Sequence, residues 1–406
     1  MEHCVIIGGS HAAAQLATSL RQEGWEGKIS MIGADPMAPY HRPPLSKAAL
    51  SGEKSDSELL IRPAEFYEMN DVDLLLGRKA TTIDRDSKKV ILQGGGEISY
   101  TKLALTTGAK VRKVPILGSE LDGVCYLRNL QDAHKIRRYI GEGKSAVVVG
   151  GGYIGLEAAA SMRQMGMSVT VLEALPRVLA RVTSPEVSAF YTRVHGEEGT
   201  NIMTNASIKQ IEGVTSVRGV SLIDGETLQA DIVLIGVGVL PATELAEAAG
   251  LDVDDGIVVD EYARTSDHDI VAAGDCTNHY SPIYDARIRL ESVQNANDQA
   301  RVAAKTLCGK LEPYRALPWF WSDQYNLKLQ IAGFSLGFDT VVLRGDVSTG
   351  RSFSAYYFKG DKLLAVDAIN RPKEFMMAKR SLAEGKTADR EKIVDESIDI
   401  REVFTE

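Results

Sequence analysis

One stretch constrains this chain more than any other: Val147 to Glu173, which reads VVVGGGYIGLEAAASMRQMGMSVTVLE. Its pattern predicts a buried strand from Ala146 to Val149, a glycine turn, an amphipathic helix, and a second strand from Val169 to Leu172 that ends in an acid. Gly150, Gly152 and Gly155 stand at G-x-G-x-x-G spacing. That spacing puts glycine where a turn is tight, where a backbone meets a pyrophosphate, and where a helix packs on a strand. Glu173 comes roughly 20 residues after the first glycine, where a carboxylate accepts hydrogen bonds from a ribose. The glycines alone are equally compatible with an ordinary turn. Strand, helix and terminal acid together make the stretch a dinucleotide-binding unit.

The N-terminus repeats the design with a variation. Cys4 to Ile7 is a short apolar strand, Gly8-Gly9-Ser10-His11-Ala12-Ala13 its turn, and Ala13, Leu16, Ala17 and Leu20 space out one helical face. Ile29 to Ile32 returns as a strand, and Asp35 follows. The pattern is G-x-S-x-x-A. Ser10 still admits a phosphate to the backbone and Ala13 still permits close packing, while a βαβ unit without a ligand remains the alternative. Each unit leads into short alternating segments around a turn (Ala80 to Ile98, Ser207 to Gln229) and then a return strand (Lys102 to Gly108, Ala230 to Gly238). Two nucleotide modules imply two nucleotides, and the economical pair is a flavin and a nicotinamide. Beyond Pro318 come aromatic, alternating strands, a helix from Arg371 to Ala383, and a charged tail.

At 406 residues the chain exceeds the length at which a single core stops growing, so two or three domains are expected. A net charge of −9 argues against nucleic acid as a partner. No apolar run approaches a membrane span, and the chain is expected to start without a signal peptide. Cys4, Cys125, Cys276 and Cys308 are scattered, with no CxxC. This excludes a sequence-evident metal or iron–sulfur site and the usual redox dithiol, and fits a reducing cytoplasm.

Several further segments occur in a fixed order: Tyr40-His-Arg-Pro-Pro-Leu-Ser-Lys47, Leu105-Thr-Thr-Gly108, Leu127-Arg128, Ala272-Ala-Gly-Asp275, Arg289-Leu-Glu-Ser-Val293 and Pro318-Trp-Phe-Trp-Ser-Asp-Gln324. With the two fingerprints they resemble, over essentially the whole chain, the FAD-dependent NADH:ferredoxin reductases of bacterial oxygenase systems, the family of putidaredoxin reductase and the aromatic-ring dioxygenase reductases. The resemblance implies an α/β fold of glutathione-reductase type, with two Rossmann-like domains and an α+β C-terminal domain. It places a split FAD domain over 1–114 and 245–315, an inserted NAD domain over 115–244, and a cap over the flavin from 316 to 406.

What the resemblance implies for single residues follows. Gly8, Ser10, His11, Ala12, Ala13 and Asp35 would hold the adenosine half of FAD, although Ala34 stands where relatives often carry another acid. Arg42, Lys47, Ala80, Thr107, Gly108 and Arg128 would line its remainder, with Arg128 on the pyrophosphate. Gly274 and Asp275 would take the ribityl chain, and the helix that opens at Ser292 and Val293 would point at the flavin. Gly150, Gly152, Tyr153, Ile154, Gly155, Glu157, Glu173, Arg181, Gly236 and Gly238 would bind NADH. Lys47, Glu157 and Trp321 would be the catalytic set, with Trp319 and Trp321 against the flavin and Asp323 and Gln324 orienting the indole. Lys110 and Val111 depart from the family's usual Arg-Pro. No metal is implied.

Each assignment has a plainer counterpart. Lys47 alone would be a solvated lysine, a tryptophan in a strand-rich domain is more often core, and Arg371, Lys373, Lys379 and Arg380 are as readily a solvated helix face as a docking patch. The implied activity is hydride transfer from NADH to FAD and single-electron delivery to a [2Fe-2S] ferredoxin of Rieske or plant type. The alternatives are rubredoxin, a quinone or oxygen as acceptor, or a sensor that binds FAD and NADH without turnover. Oligomeric state is open.

Overall fold

Runs of β-branched residues alternating with alanine-rich helices build the same parallel sheet twice. The structure is a computed structural model that describes residues 2–405. It divides into two units: the chain up to His41 with Asp56–Lys110 and Leu240–Pro318, and Arg42–Ser55 with Val111–Val239 and the chain from Trp319 onward.

In the first unit the central strand His3–Ile7 pairs in parallel with Lys28–Gly33 and with Lys102–Leu105. Val72–Leu76 and Ile270–Ala272 complete five strands. The helix His11–Gln22 buries Ala13, Leu16, Ala17 and Leu20, the face its spacing predicts. They share one core with Ala296, Ala300, Ala303 and Ala304 of the helix Val293–Leu307. Alanine on both surfaces lets two helices approach closely over the strands.

The second unit repeats the order. Ser145–Val149 lies between Ser168–Glu173 and Ile232–Ile235, with Asn201–Thr204 and Val124–Cys125 outside them, all parallel. A three-stranded antiparallel sheet accompanies each parallel one, Ala80–Asp84 to Glu97–Ser99 in the first unit and Ile208–Gly213 to Thr227–Gln229 in the second.

The second unit also carries a five-stranded antiparallel sheet, in the order Trp319–Gln324, Leu327–Gly333, Lys362–Ile369, Ser352–Lys359, Thr340–Asp346. The helix Pro372–Ala383 follows it. The charged tail is held rather than loose: buried Arg344 donates to the carbonyls of Ile393 (3.0 Å), Asp395 (2.7 Å) and Ile398 (2.8 Å). Among the described residues no helix is long and apolar enough to cross a membrane.

Candidate functional site

The three fingerprint glycines of the second unit are glycine for different reasons. Gly150 has φ +107°, and a Cβ there would stand 2.4 Å from the carbonyl oxygen of Gly236. A Cβ on Gly155 would stand 2.1 Å from the Gly150 oxygen. The chain's own packing demands both. Gly152 differs, for its φ of −81° and ψ of 176° suit any residue. A Cβ there would meet nothing within 4 Å. Gly152 also caps the helix Tyr153–Gln164 without a side-chain hydrogen bond, which leaves first-turn N–H groups directed outward. Open space over a bare backbone at a helix N-terminus fits a pyrophosphate, in addition to glycine's own suitability as an N-cap. Gly152→Ala should therefore fold with unchanged thermal stability while binding NADH about 10-fold or more weaker, the loss of one close backbone contact. Thermal melts and NADH titration of the same sample check this.

Glu173 ends its strand with both carboxylate oxygens oriented: Oε2 accepts the Gly151 N–H and Oε1 the Leu175 N–H, each at 2.8 Å. Of the two arginines that follow, Arg177 is spent inside the protein on Ala180 O (2.9 Å), Thr183 O (2.9 Å) and Ser188 Oγ (2.6 Å). Arg181 is exposed, and its guanidinium lies 3.8 Å from where a Cβ of Gly238 would stand. Ile154 is exposed beside Tyr153, and Gly236 donates its N–H to Val149 O at 2.7 Å.

The first unit's turn is the same shape with other residues. Gly8 has φ +133°, and a Cβ there would stand 2.1 Å from Thr106 O. Ser10 caps His11–Gln22 in extended backbone with no side-chain cap bond. His11, Ala12 and Ala13 are buried, and a Cβ on Gly274 would lie 3.3 Å from that of Ala12. Gly9 faces the Cα of Gly33 where Gly151 faces the Glu173 carboxylate, so the counterpart of Glu173 is a glycine. Asp35, two residues on, accepts from Met37 N–H (3.2 Å) and Tyr40 OH (2.6 Å). Ala80 packs into the core with Ile32. Thr107 Oγ1 donates to Ala242 O at 2.7 Å, and Gly108 has φ +67°. The Gly274 N–H, beside half-buried Asp275, donates to Gln299 Oε1 at 2.8 Å. Ser292 caps Val293–Leu307 by accepting from Asn295 N–H.

Arg42, Lys47, Arg128, Trp319 and Trp321 belong to the second unit. Arg42 donates to the carbonyl of Arg128. Glu157, on the fingerprint helix, takes three donors: Lys47 Nζ at 2.8 Å, Ser46 Oγ at 2.6 Å and Ser322 Oγ at 2.7 Å. The acid's side chain is 6% exposed and the lysine's 22%, so the carboxylate faces inward and carries an ammonium that solvent or a ligand reaches.

The strand Trp319–Gln324 alternates cleanly. Ser322 and Gln324 are buried, and half-buried Phe320 on the same face lies against Tyr153 at 5.1 Å. Trp319, Trp321 and Asp323 instead line an open groove of about 480 Å³ with Lys328 and Gln330. Lys379 Nζ sits 4.6 Å over the Trp319 ring. Gln324 does not orient Trp321, since it lies on the other face and bonds His195 and Ser322. Arg371 does not rim the groove as a spare cation: its guanidinium holds Ser352, Glu374 and Glu396. Ser46, Ser322 and His195 escaped sequence reasoning, as did the use Gln324 is put to, and the period-two alternation of Trp319 to Gln324 was the only signal for Ser322 and for the face Gln324 takes.

All four cysteines are free. Burial pushes the Cys4 thiol up to about 12 and the Cys125 thiol up to about 11, which makes them inert.

Residues 2–300 match the pyridine nucleotide-disulphide oxidoreductase family and residues 319–404 the reductase C-terminal family. The chain is 42% identical to putidaredoxin reductase of Pseudomonas putida, covering 99% of this chain and 97% of that one. It is 38% identical to the ferredoxin–NAD(+) reductase component of the anthranilate 1,2-dioxygenase system of Burkholderia cepacia, covering 98% of each. The reductase in the covalent putidaredoxin reductase–putidaredoxin complex superposes with a TM-score of 0.96 at 42% identity, over 99% of this chain and 97% of that one. The chain thus belongs to the pyridine nucleotide-disulphide oxidoreductases and, within them, to the ferredoxin reductases that include putidaredoxin reductase. Members of this family use FAD and NAD(H).

Proposed function

We propose that this chain takes a hydride from NADH onto FAD and passes electrons singly to a [2Fe-2S] ferredoxin that feeds an oxygenase. The observation that carries the reading is the full-length likeness to reductases of that kind, in a chain whose four thiols form no pair. A dithiol acceptor would need a cysteine couple beside the flavin. Free thiols also suit a reducing cytoplasm.

When bound, the flavin accepts a hydride at N5 and releases electrons one at a time. The chain's residues do the rest. In the FAD domain, 1–114 and 245–315, Gly8, Ser10, Asp35 and Asp275 would hold FAD, and the N-terminus of Val293–Leu307 would offer its dipole to the flavin. In the inserted domain, 115–244, Gly152 and the helix behind it take the NADH pyrophosphate and Glu173 the ribose. Arg42 and Arg128 contact FAD, and the Lys47 ammonium, aimed by Glu157, stabilises negative charge.

NADH should be preferred over NADPH by about 100-fold in kcat/KM, because a 2′-phosphate would meet the Glu173 carboxylate and Arg177 is not free to neutralise it. Parallel steady-state assays with the two coenzymes decide it, and equal values would remove Glu173 from the ribose site.

For the acceptor, the groove beside Trp321 supplies Lys328 and Lys379 against an overall charge of −9. An acidic ferredoxin docks there against the global repulsion only through such local cations. Ferredoxin-dependent cytochrome c reduction should slow as salt rises, and Lys379→Glu should raise the ferredoxin KM severalfold while ferricyanide reduction stays constant. Turnover indifferent to salt would exclude an electrostatic dock.

A further inference from the structure

Glu157 is the end of a longer polar chain. Its carboxylate can only accept, so Ser322, at 2.7 Å, spends its one proton on Oε1. Ser322 Oγ must then accept from Gln324 Nε2, which lies at 3.2 Å. That turns Gln324 Oε1 toward His195 Nε2 at 2.8 Å, and the proton of the imidazole is fixed on Nε2. Ser322, Gln324 and His195 are each at most 1% exposed, and burial pushes the His195 pKa down, so the ring is a neutral donor. No choice of direction is left anywhere along the chain.

The far end is anchored at a cost. The strands Trp319–Gln324 and Leu327–Gly333 join through a two-residue turn in which Tyr325 has φ +53°, a left-handed conformation usually left to Gly or Asn. It sets the Tyr325 ring edge-on to His195 at 5.0 Å, with its hydroxyl 3.5 Å from Nδ1 and 2.8 Å from Thr200 Oγ1. Strained backbone that places one ring on another is what an over-determined site shows.

We propose that His195, Gln324 and Ser322 are positioning residues for hydride transfer: they hold the Glu157 carboxylate, and through it the Lys47 ammonium, in the geometry the reaction needs. The inference rests on the hydride-transfer reading of this site. Buried as they are, the three would act through Glu157 and not on the coenzyme directly. Ser46 holds the other carboxylate oxygen at 2.6 Å and Lys47 shares Oε1 at 2.8 Å, so removing Ser322 leaves the acid bonded but takes away the neutral donor that fixes the oxygen carrying the ammonium.

Stopped-flow bleaching of the holoenzyme at saturating NADH gives the limiting rate, and its NADH dependence gives Kd. Ser322→Ala and Gln324→Met should each lower the limiting rate about 10-fold, as loss of an outer-sphere partner does, with Kd unchanged. Ser322→Thr, which keeps the hydroxyl, should recover most of the rate. Holoenzyme carrying ¹⁵N-histidine should show the His195 ring protonated on Nε2 at neutral pH, the signal being assigned by its shift in Gln324→Met. A limiting rate unchanged in both Ser322→Ala and Gln324→Met would overturn the proposal even if melting temperatures fall, as would an equal loss in Ser322→Thr. A His195 proton on Nδ1 would overturn it independently. Wild-type enzyme that NADH fails to bleach would instead overturn the functional reading, and the NMR result would still stand by itself.

Discussion

Lys47→Ala should slow reduction of the bound flavin by about 10²–10³-fold while leaving FAD bound, the loss seen when one preorganised charge is removed from a site of developing negative charge. The structure adds a second consequence that separates this from a surface lysine. Lys47 is the only cation among the three donors to the Glu157 carboxylate, and that acid is 6% exposed. Removing the ammonium leaves a nearly buried anion with two hydroxyl partners. Breaking a buried pair on one side costs about 3–5 kcal/mol, and the partial exposure of Lys47 puts this case at the lower end. Lys47→Met with Glu157→Gln removes both charges and should recover stability without recovering rate. Denaturant unfolding and stopped-flow bleaching on wild type, Lys47→Ala and the double variant separate the two effects. An unchanged bleaching rate in Lys47→Ala would return the residue to a structural role.

The second large effect lies in a buried cluster of the second unit. Asp367 Oδ2, Tyr357 OH and Thr183 Oγ1 stand 2.5, 2.9 and 2.7 Å apart around a triangle. Three contacts of that length need three protons, and two hydroxyls bring two. The third belongs to the Asp367 carboxyl. Burial pushes its pKa up from 3.8 to about 6 against the two hydroxyl donors. Buried Tyr153 and Tyr191 also face it, and burial keeps both phenols protonated far into base.

A carboxyl that holds its proton more tightly folded than unfolded stabilises the fold fully below the unfolded value. That contribution is lost as pH rises from about 4 to about 6. The loss is about 3 kcal/mol, and it is constant at higher pH. Asp367→Asn cannot ionise. Its stability relative to wild type should therefore improve by about 2 kcal/mol between pH 4 and pH 7.5, measured by urea unfolding at each pH. A difference that does not change with pH would mean that Asp367 is ionised in the fold.

Much of the architecture was legible because periodicity reports burial. The predicted strand Ala146 to Val149 is Ser145–Val149, the helix expected to open at Ser292 and Val293 runs Val293–Leu307 with Ser292 as its cap, and the helix from Arg371 to Ala383 begins one residue later at Pro372. The fold class follows from two such units in one chain. Polar partners were not legible, because they are set by contacts far apart in sequence. The family resemblance marks Glu157, but not its partners Ser46 and Ser322, which close on it from 111 and 165 residues away. Arg177 and Arg371 read as available cations, yet both spend their guanidinium groups inside the fold. Asp367 sits in the apolar run Leu363 to Ile369, where its neighbours predict a plain buried strand. In each case composition gives the residue's capacity, and only tertiary structure gives its use.

The central claim, that this chain carries hydride equivalents from NADH to a one-electron iron–sulfur acceptor, is tested most directly by anaerobic double mixing. The holoenzyme is first mixed with NADH, then with a [2Fe-2S] ferredoxin, while the flavin and iron–sulfur absorbances are followed separately. A hydride carries two electrons, so the account predicts that the flavin bleaches first and that two ferredoxins are then reduced for each NADH consumed. A flavin that NADH leaves oxidised, or a bleached enzyme that leaves the ferredoxin oxidised while it reduces rubredoxin or a quinone, would contradict it.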